Sequence, residues 1–204
     1  MSLFYKAAYR LGVTPWERAA EHPAAADQIA ALFDREQEGR EAPYGEALDL
    51  GCGGGIWAVE LARRGWRVTG IDIVSAAVER ARQRAREAGV EVRFLEGDVT
   101  ALREAGVGSE FRFVWDFGTV HGLTPQQRES VGREVTAVTA PDASIVMLAW
   151  SPGRRGPLPR GMDRADVAAT YGGWKVVDEE PFDASGLPKP LRGVDPRAYR
   201  LRRE

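Results

Sequence analysis

The stretch Leu48-Asp49-Leu50-Gly51-Cys52-Gly53-Gly54-Gly55 decides the fold of this 204-residue chain. Residues 47–50 predict a short, mostly apolar strand, and residues 56–64 predict the helix that follows the glycines. Glycine permits a tight turn and lets a ligand approach the main chain closely, and the amino end of a helix presents free N–H groups. The stretch therefore predicts a nucleotide-type ligand site at the carboxyl end of a strand.

The residues that follow repeat this alternation of strand and helix. Further strands are predicted at 66–72, 90–95, 111–115 and 144–150, and helices at 75–89, opened by Ser75 as N-cap, and at 125–140, opened by Thr124 as N-cap. After a short helix at 163–170, strands at 174–178 and 199–202 follow each other without a helix, which is typical of an antiparallel pair. We predict an α/β fold with a Rossmann-like, seven-stranded, mostly parallel sheet, helices on both faces and a C-terminal antiparallel hairpin.

Residues 1–40 predict two helices ahead of this sheet. An apolar face from Leu3 to Leu11 marks the first helix, and Ile29, Leu32 and Phe33 line the second, which ends near Gly39. The chain length favours a single domain over residues 1–204, in which residues 1–40 cap the cofactor and substrate site.

Four carboxylates fall where predicted strands end: Asp49, Asp72, Asp98 and Asp116. The carboxyl ends of parallel strands share one edge of the sheet, where α/β proteins bind ligands. A carboxylate directly before the glycine turn repels a pyrophosphate but suits a ligand that carries an amino group and a sulfonium charge. Asp72, 21 positions after Gly51, is placed to accept hydrogen bonds from ribose hydroxyls.

This pattern resembles the class I S-adenosylmethionine-dependent methyltransferases, whose first motif is similar to residues 49–55. The resemblance covers about residues 15 to 204 and implies S-adenosyl-L-methionine as the cofactor. Within the class, Thr14-Pro15-Trp16 and Asp116-Phe117-Gly118-Thr119-Val120-His121-Gly122-Leu123 are similar to the small thiol, thiopurine and tellurite-resistance methyltransferases. Gly122 stands where many relatives carry a second histidine, which leaves the substrate open.

The resemblance also implies roles for individual side chains. The cofactor residues are Asp49, Gly51, Gly53 and Gly55 at the methionine moiety, Asp72 and Ile73 at the ribose end, Asp98 and Val99 at the adenine, Asp116 and Phe117 near the reacting centre, and Trp16 closing the pocket. His121 and Asp116 are the candidate catalytic residues.

Methyl transfer from a sulfonium is an in-line displacement, so the protein chiefly aligns the reactants and needs no metal. A thiol forms its thiolate readily near neutral pH, whereas a phenol or hydroxyl needs a base such as His121 or Asp116. We expect methylation of sulfur or oxygen on a small, partly aromatic molecule. A nucleic-acid or protein methyltransferase and a non-catalytic S-adenosylmethionine-binding module are the alternatives.

An NAD(P)-dependent reductase is a further alternative. Residues 53–58 satisfy a dinucleotide-binding glycine pattern, and Tyr171 and Lys175 have the spacing of the catalytic pair of short-chain reductases. That pair requires one helical face, but Gly172 and Gly173 between the two residues disfavour a helix. The segment is better interpreted as a turn into a strand, which favours the methyltransferase.

The amino-acid composition disfavours nucleic acid and zinc as ligands of this protein. The formal net charge of −2 argues against a protein that mainly grips nucleic acid, and a single cysteine with two histidines disfavours a zinc site. Cys52 is predicted to pack under the glycine turn, and His22 to be a solvated helix cap. No apolar run approaches the roughly 20 residues that span a bilayer, so we expect a cytoplasmic monomer or homodimer.

Overall fold

A computed structural model describes residues 22–153, 159–186 and 193–204, and its centre is one seven-stranded sheet. The strands are β1 (Glu46–Leu50), β2 (Arg67–Asp72), β3 (Val92–Glu96), β4 (Phe111–Phe117), β5 (Thr139–Trp150), β6 (Trp174–Pro181) and β7 (Pro196–Arg203). The helices are α1 (Pro23–Gln37), α2 (Ile56–Arg63), α3 (Ser75–Ala88), α4 (Pro125–Val138) and α5 (Arg164–Thr170). Two short 3-10 turns, Val99–Ala101 and Val120–Gly122, follow β3 and β4.

The strand order is β3-β2-β1-β4-β5-β7-β6. Strands β1 to β5 pair in parallel, whereas β7 lies antiparallel to both β5 and β6. The predicted fold class, with a mostly parallel sheet and a C-terminal antiparallel pair, is therefore confirmed. Because β6 runs in the same direction as β5, its carboxyl end lies at the same edge of the sheet as the ends of β1, β2 and β4.

Side chains alternate between the two faces of the sheet, and each face carries its own apolar core. On one face, Leu48 and Val114 pack with Val131 of α4. On the other face, Phe33 of α1 is fully buried and contacts the ring of Trp115 edge-on at a centroid distance of 4.9 Å. Helices thus cover both faces, as predicted.

Ion pairs, one of them with a buried carboxylate, hold α1 against the antiparallel end of the sheet. Glu36 is 1% exposed, and its carboxylate accepts hydrogen bonds from the Ser144 hydroxyl of β5 and the Arg200 guanidinium of β7. Arg35 pairs with Asp178 and Glu180 of β6. The helix predicted to cap the site is therefore anchored to β5, β6 and β7.

The helix boundaries bring two corrections. Val74, not Ser75, is the N-cap of α3, because the Asp72 carboxylate two residues earlier accepts the Val74 N–H and starts the helix one residue sooner. Helix α4 ends at Val138 because β5 already begins at Thr139. The Thr124 cap is confirmed, with the reciprocal Gln127 hydrogen bond of a capping box.

The predicted helix over residues 3–11 lies outside the described residues. Within the described ranges, no helix has the length and apolar character needed to cross a membrane.

Candidate active site

The glycine turn connects β1 to α2 and depends on glycine at defined positions. Gly51, Gly53 and Gly55 have φ angles of 64°, 51° and 77°, a left-handed conformation that strains other residues. A Cβ on Gly51 would lie 2.1 Å from the Thr119 hydroxyl oxygen, and one on Gly55 would lie 2.8 Å from the Ala81 Cβ. The turn is therefore both sharply bent and closely covered by the segments after β4 and in α3.

Asp72 braces this turn from the end of β2. One carboxylate oxygen accepts the Gly53 N–H at 2.9 Å, and the other accepts the Val74 N–H at 2.8 Å. The side chain is half-buried. Asp72 therefore fixes the glycine turn and the start of α3 relative to each other. Its contact with ribose stays a prediction.

Asp49 lies beneath the turn with 2% of its surface exposed. Burial, together with the negative charges of Asp116 and Asp72, raises its pKa to about 8, against a smaller lowering by a hydrogen bond from the Ala58 backbone. A cation placed among these carboxylates would relieve that repulsion. The site therefore suits a positively charged ligand, such as the ammonium and sulfonium groups of S-adenosylmethionine, and opposes a pyrophosphate.

Asp116 is fully buried near the end of β4. Its two oxygens accept the backbone N–H groups of Thr119 at 2.6 Å and Val120 at 3.2 Å, while burial raises its pKa to about 7. The Thr119 hydroxyl in turn donates to the Leu50 carbonyl at 3.0 Å. Asp116 thus holds the turn after β4 against the glycine turn. The two backbone hydrogen bonds give Asp116 a positioning role in this turn, and its role as a base stays a prediction.

His121 lies in the 3-10 turn after β4 and is 3% exposed. Its Nδ1 accepts the Trp150 backbone N–H at 2.9 Å, and its ring contacts the Trp150 ring at a centroid distance of 5.3 Å. An imidazole nitrogen that accepts a hydrogen bond carries no proton, so neutral His121 carries its proton on Nε2. In this arrangement Nε2 of His121 is the ring nitrogen that can donate a hydrogen bond, and it does not accept a proton.

The remaining predicted cofactor residues surround the ends of β2, β3 and β4. Asp98 caps the turn Val99–Ala101 through hydrogen bonds from Thr100, and Val99 is buried beside it. Ile73, 42% exposed, presents an apolar side chain to solvent at the same edge. Trp16 lies outside the described residues. Contacts of these residues with a cofactor stay predictions.

Phe117 ends β4 and belongs to an aromatic group at this edge. Its half-buried ring lies 5.8 Å from Trp57 of α2 and 6.3 Å from Phe182, the residue after β6. Phe182 was not foreseen from the sequence, because only the three-dimensional strand order brings the end of β6 close to β4. Thr119 was also missed, because its contact with the Leu50 carbonyl spans 69 positions of the sequence.

Two alternative chemistries find no support in the geometry. Cys52 is 8% exposed, and burial raises the pKa of its thiol well above the ordinary value, which confirms a packing residue rather than a nucleophile. Tyr171 is fully buried after the end of α5, whereas Lys175 is exposed on β6. The two residues share no helix, so they do not form the catalytic pair of a reductase.

Comparison with known proteins agrees with this site. The family model described as "Methyltransferase domain" matches residues 47–142, which contain the glycine turn and all four of the carboxylates at strand ends. The chain is similar to the 2-heptyl-1-hydroxyquinolin-4(1H)-one methyltransferase of Mycobacteroides abscessus, with 27% identity over 185 residues, or 87% of this chain and 78% of the relative. A ubiquinone biosynthesis O-methyltransferase of Ruegeria pomeroyi is 40% identical over 81 residues, which span 32% of that protein.

Solved structures share the fold. The 1,6-didemethyltoxoflavin-N1-methyltransferase of Burkholderia thailandensis superimposes with a TM-score of 0.73 and 24% identity over 98% of this chain and 85% of that one. The N-methyltransferase NodS of Bradyrhizobium japonicum gives a TM-score of 0.74 and 18% identity over 91% of this chain and 90% of that one. The matched domain and the M. abscessus relative support an S-adenosylmethionine-dependent methyltransferase with S-adenosylmethionine as its cofactor, and the solved structures share its fold.

Proposed function

We propose that this enzyme methylates a thiol or hydroxyl group of a small, partly aromatic molecule. The observation that carries the proposal is two aromatic contacts at the carboxyl ends of β4, β5 and β6: the ring of Phe117 contacts Phe182, and the ring of Trp150 contacts His121. Aromatic rings favour flat acceptors through stacking and edge contacts. The M. abscessus relative, which acts on a hydroxyquinolone according to its name, supports an acceptor of this kind.

The cofactor supplies an electrophilic methyl group on a sulfonium. In the proposed complex, Asp49 and the glycines at 51, 53 and 55 face the methionine moiety, and Asp72 binds the ribose. Ile73 lies beside Asp72 at the ribose end, Asp98 and Val99 border the adenine, and Trp16 closes the pocket. Asp116 and Phe117 lie nearest the reacting centre, where the residues of the turn after β4 align the acceptor with the methyl group and exclude water.

The hydrogen bonds of the two candidate bases, Asp116 and His121, limit the acidity that the acceptor group must have. Both oxygens of Asp116 accept backbone N–H groups, and Nδ1 of His121 accepts the Trp150 N–H. An acceptor that ionises near neutral pH needs no strong base from the protein. We therefore propose a thiol or an acidic hydroxyl, bound with its anion near the Nε2–H of His121.

The test is methyl transfer from labelled S-adenosylmethionine to a panel of aromatic thiols, phenols and hydroxyquinolines of graded acidity. We expect turnover of aromatic thiols or acidic hydroxyls, with a rate that follows ionisation of the acceptor. His121→Ala is expected to lower kcat/KM by roughly 10- to 100-fold, and His22→Ala at the start of α1 serves as the matched control. Turnover confined to RNA or protein, or tight S-adenosylhomocysteine binding without turnover of any acceptor, would refute the proposal.

A further inference from the structure

Arg128 lies on α4 with only 8% of its surface exposed. Its Nη2 donates to two backbone carbonyls at once, those of His121 and Gly161, each at 2.8 Å. The nearest carboxylate in an ion pair with it, Asp166, is 4.0 Å from Nη1. Burial lowers the pKa of the guanidinium, because a charged group is costly to remove from water. An ion pair with Asp166 at 4.0 Å does not offset that cost.

The two carbonyls belong to a closed ring of hydrogen bonds. Nδ1 of His121 accepts the Trp150 N–H at 2.9 Å, and the Trp150 carbonyl accepts the Met162 N–H at 2.8 Å. Met162 follows Gly161 in the chain. Arg128 donates to the carbonyls of both Gly161 and His121, and so closes the ring. The ring therefore fixes His121 twice, at its imidazole by Trp150 and at its carbonyl by Arg128.

Gly161 makes this approach possible. Its φ angle is 80°, and a Cβ would lie 2.4 Å from the carbonyl oxygens of Trp150 and Ser151. Only a residue without a side chain brings the backbone this close to the end of β5. The Gly161 carbonyl therefore lies near enough to His121 for one guanidinium nitrogen of Arg128 to donate to both carbonyls.

We infer that Arg128 is a positioning residue, which orients the His121 imidazole at the reacting centre by holding the carbonyls of His121 and Gly161 at one point. A planar guanidinium suits this task better than an ammonium because its donors have fixed directions. The effect on methyl transfer rests on the proposed function, but the effect on the His121 ring does not.

The first experiment measures the tautomer of the His121 imidazole and needs no methyl acceptor. The chain has two histidines, so a histidine-selective 15N NMR spectrum contains two imidazoles, and His22→Ala assigns them. In the wild type we expect a neutral His121 with its proton on Nε2. Arg128→Met should give a mixture of tautomers, whereas Arg133→Met, on the exposed side of the same helix, should match the wild type.

A His121 spectrum that is identical in Arg128→Met and the wild type would overturn the inference. If Arg128→Met fails to fold, Arg128→Lys keeps the buried charge without the planar donor group, and we expect the same tautomer mixture. An unchanged His121 spectrum in a folded Arg128→Lys would then overturn it.

Activity provides the second readout. With an acceptor from the panel, Arg128→Met should lower kcat by roughly 10- to 100-fold, because small misplacements of aligned groups cost rate. The Kd for S-adenosylhomocysteine should change less than about threefold, since Arg128 contacts neither the glycine turn nor Asp72. Equal losses of cofactor binding and rate would show a general structural role and refute the inference. If the wild type methylates no acceptor, the proposed function fails while the NMR result still decides the role of Arg128.

Discussion

Asp49→Asn is expected to stabilise the cofactor-free protein while weakening cofactor binding. The Asp49 carboxyl has an ordinary pKa of 3.8 in the unfolded chain and a pKa of about 8 in the fold, where burial and the charges of Asp116 and Asp72 disfavour ionisation. An acid whose pKa is raised by folding must take up a proton to fold at any pH between the two values. Stability is therefore lost as the pH rises from 3.8 to about 8 and is constant above that range.

The size of the effect follows from these pKa values. At about 1.4 kcal/mol per pH unit, the cost of burying Asp49 is about 3 kcal/mol at pH 6 and about 5 to 6 kcal/mol at pH 8.5. Asparagine keeps an acceptor for the Ala58 N–H but carries no charge at either pH. The stability advantage of Asp49→Asn should therefore grow by about 2 to 3 kcal/mol between the two pH values, or roughly 5 to 10 °C in Tm for a chain of this length.

The assay is thermal and urea unfolding of both proteins at the two pH values, with Asp27→Asn, an exposed aspartate on α1, as the control. S-adenosylhomocysteine titration at the higher pH should give at least a tenfold weaker Kd for Asp49→Asn, or about 1.4 kcal/mol. A stability difference that does not change with pH would refute the electrostatic argument. Unchanged binding would refute the role of Asp49 at the ammonium group.

Two further predictions concern the packing around the site. Gly132→Ala should lower the free energy of unfolding by roughly 2–4 kcal/mol in a urea titration, because its Cβ would lie 1.8 Å from the Thr170 carbonyl where α4 meets α5. Gly172→Ala, with nothing within 4 Å of the new Cβ, is the control, and equal stability of the two variants would contradict the prediction. The Cys52 thiol, whose pKa burial raises, should resist a thiol reagent at about pH 8 in the native protein and react at once in denaturant; fast native labelling would show that the turn opens.

The sheet and the glycine turn were predictable from local sequence. Alternating strands and helices, the glycines at 51, 53 and 55, and the aspartates near strand ends are short-range patterns, and the structure reproduces them at those positions. The N-cap of α3, which is Val74 and not the predicted Ser75, shows the limit of such rules. Propensity favours serine, but the Asp72 carboxylate accepts the Val74 N–H, and the helix begins one residue sooner.

The functional state of the site residues was not predictable in the same way. Asp116 stands at the expected strand end, but only the folded turn shows that both its oxygens bind backbone N–H groups. The tautomer of His121 depends on Trp150, 29 positions away, and the contact of Arg128 with Gly161 spans 33 positions. Such contacts depend on strand order and loop path, which periodicity and spacing do not contain.

The position of β7 has a consequence for biosynthesis. In the chain β6 precedes β7, but in the sheet β7 lies between β5 and β6. During translation β6 therefore leaves the ribosome with no strand to pair with, and β5 presents an unpaired edge until β7 arrives. A ribosome pause between the codons for Pro181 and Pro196 would prolong that exposure and increase aggregation of the nascent chain.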